Sequence, residues 1–233
     1  ESKYTMLTMN VNSVNLITTT PINMHSIEYI HSTPDGDNLV AYMARVSNPK
    51  NQNNTSTAPK LIKYLINHKH WSPFEMVSMC IKINTTRSIA AQILRHRSFS
   101  FQEFSQRYAQ VIDTPSIPDL RSQDTTNRQN SIDDFDPIEK QHFQVQLQQH
   151  YDQAMHLYKQ MIQAGVAKEC AREVLPLSTP TSLYMHGNLR SWIHYIDLRI
   201  SNGTQQEHML IAQQCQQLVK QYFPAVASAV WAD

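Results

Sequence analysis
Glycine is scarce in this chain: 233 residues carry 4, where average usage of about 7% would give roughly sixteen. Gly36, Gly165, Gly187 and Gly203 are too scattered for a G-x-G-x-x-G turn or a Walker loop. Any nucleotide is therefore held without a glycine-rich phosphate cradle. Cysteine is equally sparse. Cys80, Cys170 and Cys215 form no C-x-x-C pair, which removes zinc-finger and disulfide-scaffold readings and fits a reducing, cytoplasmic compartment. An excess of one charge is missing too. Lys+Arg 20 against Asp+Glu 19 argues against a nucleic-acid protein that works by bulk positive charge, while leaving room for a local basic pocket. No apolar run reaches membrane-spanning length. The start, Glu1-Ser2-Lys3-Tyr4, lacks a basic segment followed by an apolar one, so no signal peptide is expected.

What is present is enough apolar material for a sizeable core, 41% of residues, which argues against disorder. Residues 1–30 mix Thr, Asn, Val and Ile and read as one or two strands. Pro34-Asp35-Gly36-Asp37 is a turn ahead of a short helix over 39–46, closed before Asn48-Pro49. A second helix starts with Pro59 in its first turn and ends near His68. Val77, Met79, Ile81 and Ile83 alternate with polar neighbours, a strand period. Thr85 or Thr86 caps a helix that ends at Arg95 to Arg97. Residues 113–136, with Pro115, Pro118 and several Asp, read as a long loop. Helices follow over 137–164, stopped by Gly165, and over 167–175, stopped by Pro176. Residues 182–187 read as extended, then helices cover 188–201 and 204–222 up to Pro224. Few strands among many helices, without an internal repeat or linker, predict one α+β domain over 1–233.

The densest chemical signal is Arg95-His96-Arg97-Ser98-Phe99-Ser100-Phe101-Gln102-Glu103-Phe104-Ser105-Gln106-Arg107-Tyr108. Guanidinium forks bind phosphates and planar imide or carboxylate edges bidentately, and hydroxyls with exposed N–H groups complete such sites. A solvated basic helix end would explain the arginines alone. It does not explain the interleaved Phe99, Phe101 and Phe104.

Arg95-His96-Arg97, seven residues and then Ser105 match the R-H-R-x7-S signature of flavin-dependent thymidylate synthases. The longer R-H-R-x-x-S-x-N-x-x-S-x-R-Y pattern also matches at Ser100, Ser105, Arg107 and Tyr108, with Gln102 where Asn is usual. Ala44-Arg45-Val46-Ser47, the stretch from His68 to Glu75, and Ala171 to Pro176 resemble further blocks of that family. So do Asn188-Leu189-Arg190, Asp197-Leu198-Arg199 and Gln206-Glu207-His208. The resemblance spans roughly residues 40–220.

The resemblance implies an α/β (α+β) fold with a mixed, mostly antiparallel sheet among helices, assembled as a homotetramer with shared active sites. It implies conversion of dUMP to dTMP, with methylenetetrahydrofolate as carbon donor and FAD, reduced by NADPH, as hydride source. Carried over by position, Gln92, Arg95, Glu103, Ser105, Gln106, Arg107, Arg172 and Arg199 bind dUMP. Ser47, His70, Ser72, Glu75, Arg95, His96, Arg97, Glu103, Asn188, Leu189, Arg190 and His194 bind FAD. Arg199 is the catalytic residue, a cation at the pyrimidine edge that favours ionisation at N3. His194 stands where Asn is common, and Gln106 where some members have Gly. The flavin carries the redox step, so no enzyme nucleophile is needed and Ser105 is a ligand-binding hydroxyl.

Blander readings compete at single positions. Glu75 alone would be a surface carboxylate, and Tyr151, Met155, Tyr158, Met161 and Ile162 are packing or subunit-contact residues of the long helix. His68 and His70 are two apart rather than the i, i+4 of a metal pair, so no metal is expected. A folate-only synthase needs a Cys nucleophile in a Pro-Cys-His setting, which none of the three cysteines has. An RNA-binding module could use the same arginines and aromatics, against the near-zero net charge.

Overall fold
The computed structural model describes residues 24–201 and 203–231. In chain order these form β1 (Ser26–Ser32), α1 (Gly36–Ala44), α2 (Ala58–Asn67), β2 (Ser78–Thr86), α3 (Arg87–Ile93) and β3 (Ser100–Glu103). Then come β4 (Ser122–Gln123), β5 (Ser131–Ile132), α4 (Pro137–Gln163), α5 (Lys168–Ala171), β6 (Pro180–Asn188), α6 (Leu189–Arg199), α7 (Gln206–Tyr222) and α8 (Pro224–Trp231). Of the strand expected within 1–30, Ser26–Ser32 is observed; residues 1–23 lie outside the described residues.

The main sheet has the order β1-β2-β6-β3. Each pairing among the described strands is antiparallel, so the parallel component of a mixed sheet is not seen. The period-2 pattern decides which face is covered. Met79, Ile81, Ile83, Leu183 and Met185 are buried, while Cys80, Lys82, Tyr184 and His186 take the other face. The buried face packs with α1, α2, α3, α6, α7 and α8 into one apolar cluster that includes Phe74, Trp192, Tyr195 and Phe223. A smaller cluster joins Val111, Tyr158 and Ala171, where the Tyr158 hydroxyl accepts the Val111 N–H at 3.0 Å.

Three local readings are corrected. The 204–222 helix does end before Pro224, as α7, but α8, not expected from the sequence, follows it and starts at Pro224 because proline fits the first helical turn. The donors it leaves are accepted from far away: Asp37 takes the N–H of Ala225 at 2.7 Å and of Val226 at 3.2 Å. The 113–136 loop contains the small β4–β5 ladder, held by Asp124 accepting the N–H groups of Thr126 and Asn127. The 167–175 helix is only α5 plus a 3-10 turn over Arg172–Val174.

The sheet also contains a strand that periodicity did not reveal. β3 lies inside the arginine-rich motif and pairs with β6, Ser100 against His186 and Glu103 against Leu183. Phe99 fixes its start. The Phe99 ring meets Trp192 edge-on at 4.8 Å and lies over Gly187, where an added Cβ would collide with it. Trp192 is itself pinned by donating its Nε1–H to the Met79 carbonyl at 3.1 Å. An aromatic ring this buried cannot swing aside cheaply. Gly187→Ala should therefore destabilise the protein by about 1–3 kcal/mol, an overpacking cost. A urea melt with an unchanged midpoint would show that Phe99 has room.

Candidate functional site
The chain gathers the sequence-selected residues into three neighbouring groups. The first is a cleft of about 650 Å³ lined by Trp71, Glu75, Ser98, Asn188, Arg190, His194 and Asp197. α6 supplies one wall, because Arg190, His194 and Asp197 follow helical spacing on its exposed side. Asn188 ends β6 and caps α6 by accepting the Ser191 N–H at 2.9 Å. The opposite wall is the 3-10 turn Ser72–Met76, which packs against both α1 and α6. Glu75 and Arg190 pair across the cleft. That pair is substantially exposed, so a ligand can exchange with it at little cost.

The second group is a buried polar network behind the motif. Arg199 donates its Nε–H to Nε2 of His96 at 2.9 Å. His96 is buried, and burial, Arg199 and His194 together lower its pKa to about 4. His208 is completely buried, and burial, Arg199 and His96 lower it to about 3. Both imidazoles are thus neutral near pH 7. The bond from Arg199 requires His96 to carry its proton on Nδ1. Gln92 and Tyr195 complete the network through His208.

The third group runs along β3 and the turn after it. Glu103 accepts from Arg87 at 2.6 Å and from the Thr181 hydroxyl at 3.1 Å. Arg107 pairs with Glu169 at 3.1 Å, both side chains more than half exposed. This ties the motif to the segment that carries Arg172, itself beside Glu173 at 3.4 Å. Arg95, Arg97 and Ser105 are exposed, and Arg95 and Arg97 have no ion-pair partner among the described residues. Gln106 is buried, and its Nε2 has no hydrogen-bond partner among the described residues. An orphaned buried amide costs roughly 1–3 kcal/mol, which a bound acceptor would recover.

Some selected residues are placed apart from these groups or are already committed. Leu189 is fully buried and gives its N–H to the Val77 carbonyl at 2.8 Å, so it offers a ligand no side chain and no donor. Ser47 and His70 are exposed at the ends of α1 and α2. Arg87, Thr181, Tyr195, Gln205 and His208 take part in the site without having been assigned a role. Apart from Glu207 beside Gln205, their partners lie well away in sequence, and no local spacing reveals them. No group of three His, Cys, Asp or Glu suited to a metal occurs among the described residues, and no described helix is long and apolar enough to cross a membrane.

The neutral imidazoles give a testable pH dependence. Unfolded, both histidines titrate near 6.5; folded, near 4 and 3. Below 6.5 the unfolded chain binds more protons, so their contribution is complete above that pH and declines as pH falls toward 4 and 3. The urea midpoint should fall between pH 7 and pH 5, with uptake of up to about two protons on unfolding. A flat midpoint over that interval would mean that the two imidazoles are not held neutral.

With this geometry in view, three comparisons bear on the chain. Residues 28–225 match a family model described as thymidylate synthase complementing protein. A probable flavin-dependent thymidylate synthase of Paramecium bursaria Chlorella virus 1 is 53% identical over 194 residues, 83% of this chain and 90% of that protein. A flavin-dependent thymidylate synthase of a Synechocystis species is 48% identical over 198 residues, 85% and 90% of the two chains. Among solved structures, the UMP/dUMP methylase PolB from Streptomyces cacaoi, bound with 5-Br dUMP, superposes with a TM-score of 0.78. It is 27% identical and covers 88% of this chain and 93% of its own.

Proposed function
The chain belongs to the flavin-dependent thymidylate synthases, and on that premise we propose how its side chains divide the work of methylating dUMP to dTMP with FAD. The observation that carries the reading is the 2.9 Å bond between Arg199 and His96. It joins the helix-borne arginine to the R-H-R motif from a distant part of the chain.

dUMP lies along the third group. Its phosphate takes the exposed fork of Arg107 and the half-buried fork of Arg172 in exchange for Glu169 and Glu173. Both glutamates are solvent-exposed and hold their arginines weakly, whereas a dianionic phosphate gives charge-assisted bonds to several donors. Ser105 adds a hydroxyl, and the orphaned Gln106 amide suits an acceptor on the nucleotide. Gln92, Arg95 and Arg199 face the base. Glu103 holds the edge of the site through Arg87 and Thr181.

Arg199 spends its Nε–H on His96, which leaves its terminal amino groups for the pyrimidine. Because His96 is an uncharged acceptor, the guanidinium charge is not cancelled. A full cation at the ring edge stabilises negative charge that develops when N3 ionises. The Ser105 hydroxyl makes no hydrogen bond to an imidazole among the described residues, which suits binding rather than attack.

The residues of the cleft fit a flavin: an aromatic face from Trp71, polar groups from Glu75, Asn188, Arg190 and His194, and the exposed Arg95 and Arg97 nearby. Ser72 belongs to the turn that carries Glu75; Ser47, His70 and His96 are assigned to FAD by the family resemblance alone, and Leu189 contributes only by seating its neighbours. FAD supplies hydride chemistry when bound. Methylenetetrahydrofolate as carbon donor, NADPH as reductant and a homotetramer of single-domain chains complete the reading. Tyr108 and Ile112, 86% and 81% exposed just beyond the motif, are apolar surface for a neighbouring copy to cover.

The purified protein should show a flavin absorption band that anaerobic NADPH bleaches, faster with dUMP present. A colourless protein that takes up neither FAD nor dUMP would return the motif to a simple binding role. Arg199→Ala should lower dTMP formation by a hundredfold or more, on the order of a lost oxyanion donor, with flavin still bound. Unchanged turnover would remove Arg199 from the chemistry. Ser105→Ala should raise KM for dUMP about tenfold, the loss of one charge-assisted hydrogen bond, and leave measurable turnover. Complete inactivity with intact dUMP affinity would make Ser105 a nucleophile.

A further inference from the structure
Gln92 is an amide, and an amide can present either a carbonyl or an NH2 group to its ligand. Which one it presents is decided by its neighbours. Here the neighbours form a chain whose polarity is fixed at one end by a charge. Glu207, at the start of α7, is a half-buried carboxyl that accepts from Arg121 at 2.8 Å. Burial opposes its ionisation, but its own backbone N–H and the Arg121 guanidinium hold its pKa below the usual glutamate range. It is therefore an acceptor only.

The consequence propagates residue by residue. Glu207 accepts from Gln205 Nε2 at 2.9 Å, so Gln205 turns its carbonyl oxygen away. That oxygen accepts from Gln92 Nε2 at 2.6 Å. The Gln92 carbonyl oxygen then faces Nδ1 of His208 at 3.3 Å, and only a protonated Nδ1 can satisfy it. His208 Nε2 is left as an acceptor, and the buried Tyr195 hydroxyl donates to it at 3.1 Å. Each bond points toward Glu207.

We propose that His208, through an Nδ1–H bond whose sense the Arg121–Glu207 ion pair dictates, is a positioning residue that locks Gln92 with one amide hydrogen free for the nucleotide base. The proposal rests on Gln92 being a dUMP contact, as in the reading above. Gln92 has two amide hydrogens. One goes to Gln205, and the other has no acceptor among the described residues. A locked Gln92 therefore donates to a carbonyl oxygen and does not accept from an N–H. That matches the carbonyl groups of a uracil ring and would discriminate against a base that presents an amino group there.

Two variants separate the ring nitrogens. Asparagine carries an amide donor close to the position of Nδ1, whereas glutamine reaches the position of Nε2. His208→Asn should keep dUMP dissociation within about threefold of the parent protein, while His208→Gln should weaken it about tenfold, since only the first retains the bond to Gln92. Equal losses in both variants, at matched urea midpoints, would overturn the positioning role. A second readout does not involve the nucleotide. In 15N-histidine NMR at pH 7, the signals lost in His208→Asn should belong to an Nδ1–H tautomer, and an Nε2–H tautomer there would overturn the relay. Gln92→Ala separates the two layers. If it leaves dUMP dissociation unchanged while the tautomer is as expected, the placement of the base at Gln92 is wrong, and the specificity argument falls with it.

Discussion

Arg199 donates to an imidazole, not to a carboxylate, and no ion pair involving Arg199 occurs among the described residues. The rest of the site follows from that arrangement. A carboxylate at the same place would orient the guanidinium equally well but would neutralise its field. A neutral histidine orients without neutralising, provided that it stays neutral. Burial between α6 and the motif secures this, because His96 is 9% exposed and sits beside Tyr195 at a ring distance of 4.8 Å. The cost is a site that must exclude protons as well as water. Tyr195, whose own ionisation is pushed well up chiefly by its burial, adds no charge to the network.

Carboxylates are instead kept where they fix geometry. Glu103 is held by Arg87 and Thr181, and Glu207 by Arg121. Glu75, Glu169 and Glu173 are themselves exposed, and only Glu173 pairs with a half-buried arginine. Partly buried pairs are costly to break by removing one partner, whereas exposed pairs exchange easily with solvent or ligand. Burial thus separates the acidic groups into framework and replaceable partners.

Much of this was legible in the sequence where a local rule applies. The alternation from Val77 to Ile83, the glycine stop of the long helix and the helical spacing of Arg190 and His194 all depend on neighbours a few residues apart. The motif was legible through its spacing and through the family resemblance that the spacing carries. What was not legible depends on distant partners. β3 is a short edge strand, too brief to show a period, and exists because β6 offers it a ladder. α8 was hidden because the residue that caps it, Asp37, lies at the other end of the chain. His208 was legible as part of the Gln206-Glu207-His208 block, but only the packing of α7 against α3 and α6 reveals its bond to Gln92.

The order of the strands also bears on how the protein is made. β2 and β3 both pair with β6, Met79 with Gly187 and Ser100 with His186. β6 emerges only after the whole of α4 and α5. Loop closure of that length precedes any gain from the central ladder, which slows formation of such sheets. During synthesis, β2 and the β3 segment inside the arginine-rich motif therefore wait without their shared partner until β6 arrives between them. A single late event closes the sheet, seats Phe99 over Gly187 and brings Arg199 to His96. Nascent chains that stop short of β6 thus carry the full motif but no site, and they expose strand edges of the kind that chaperones and aggregation compete for.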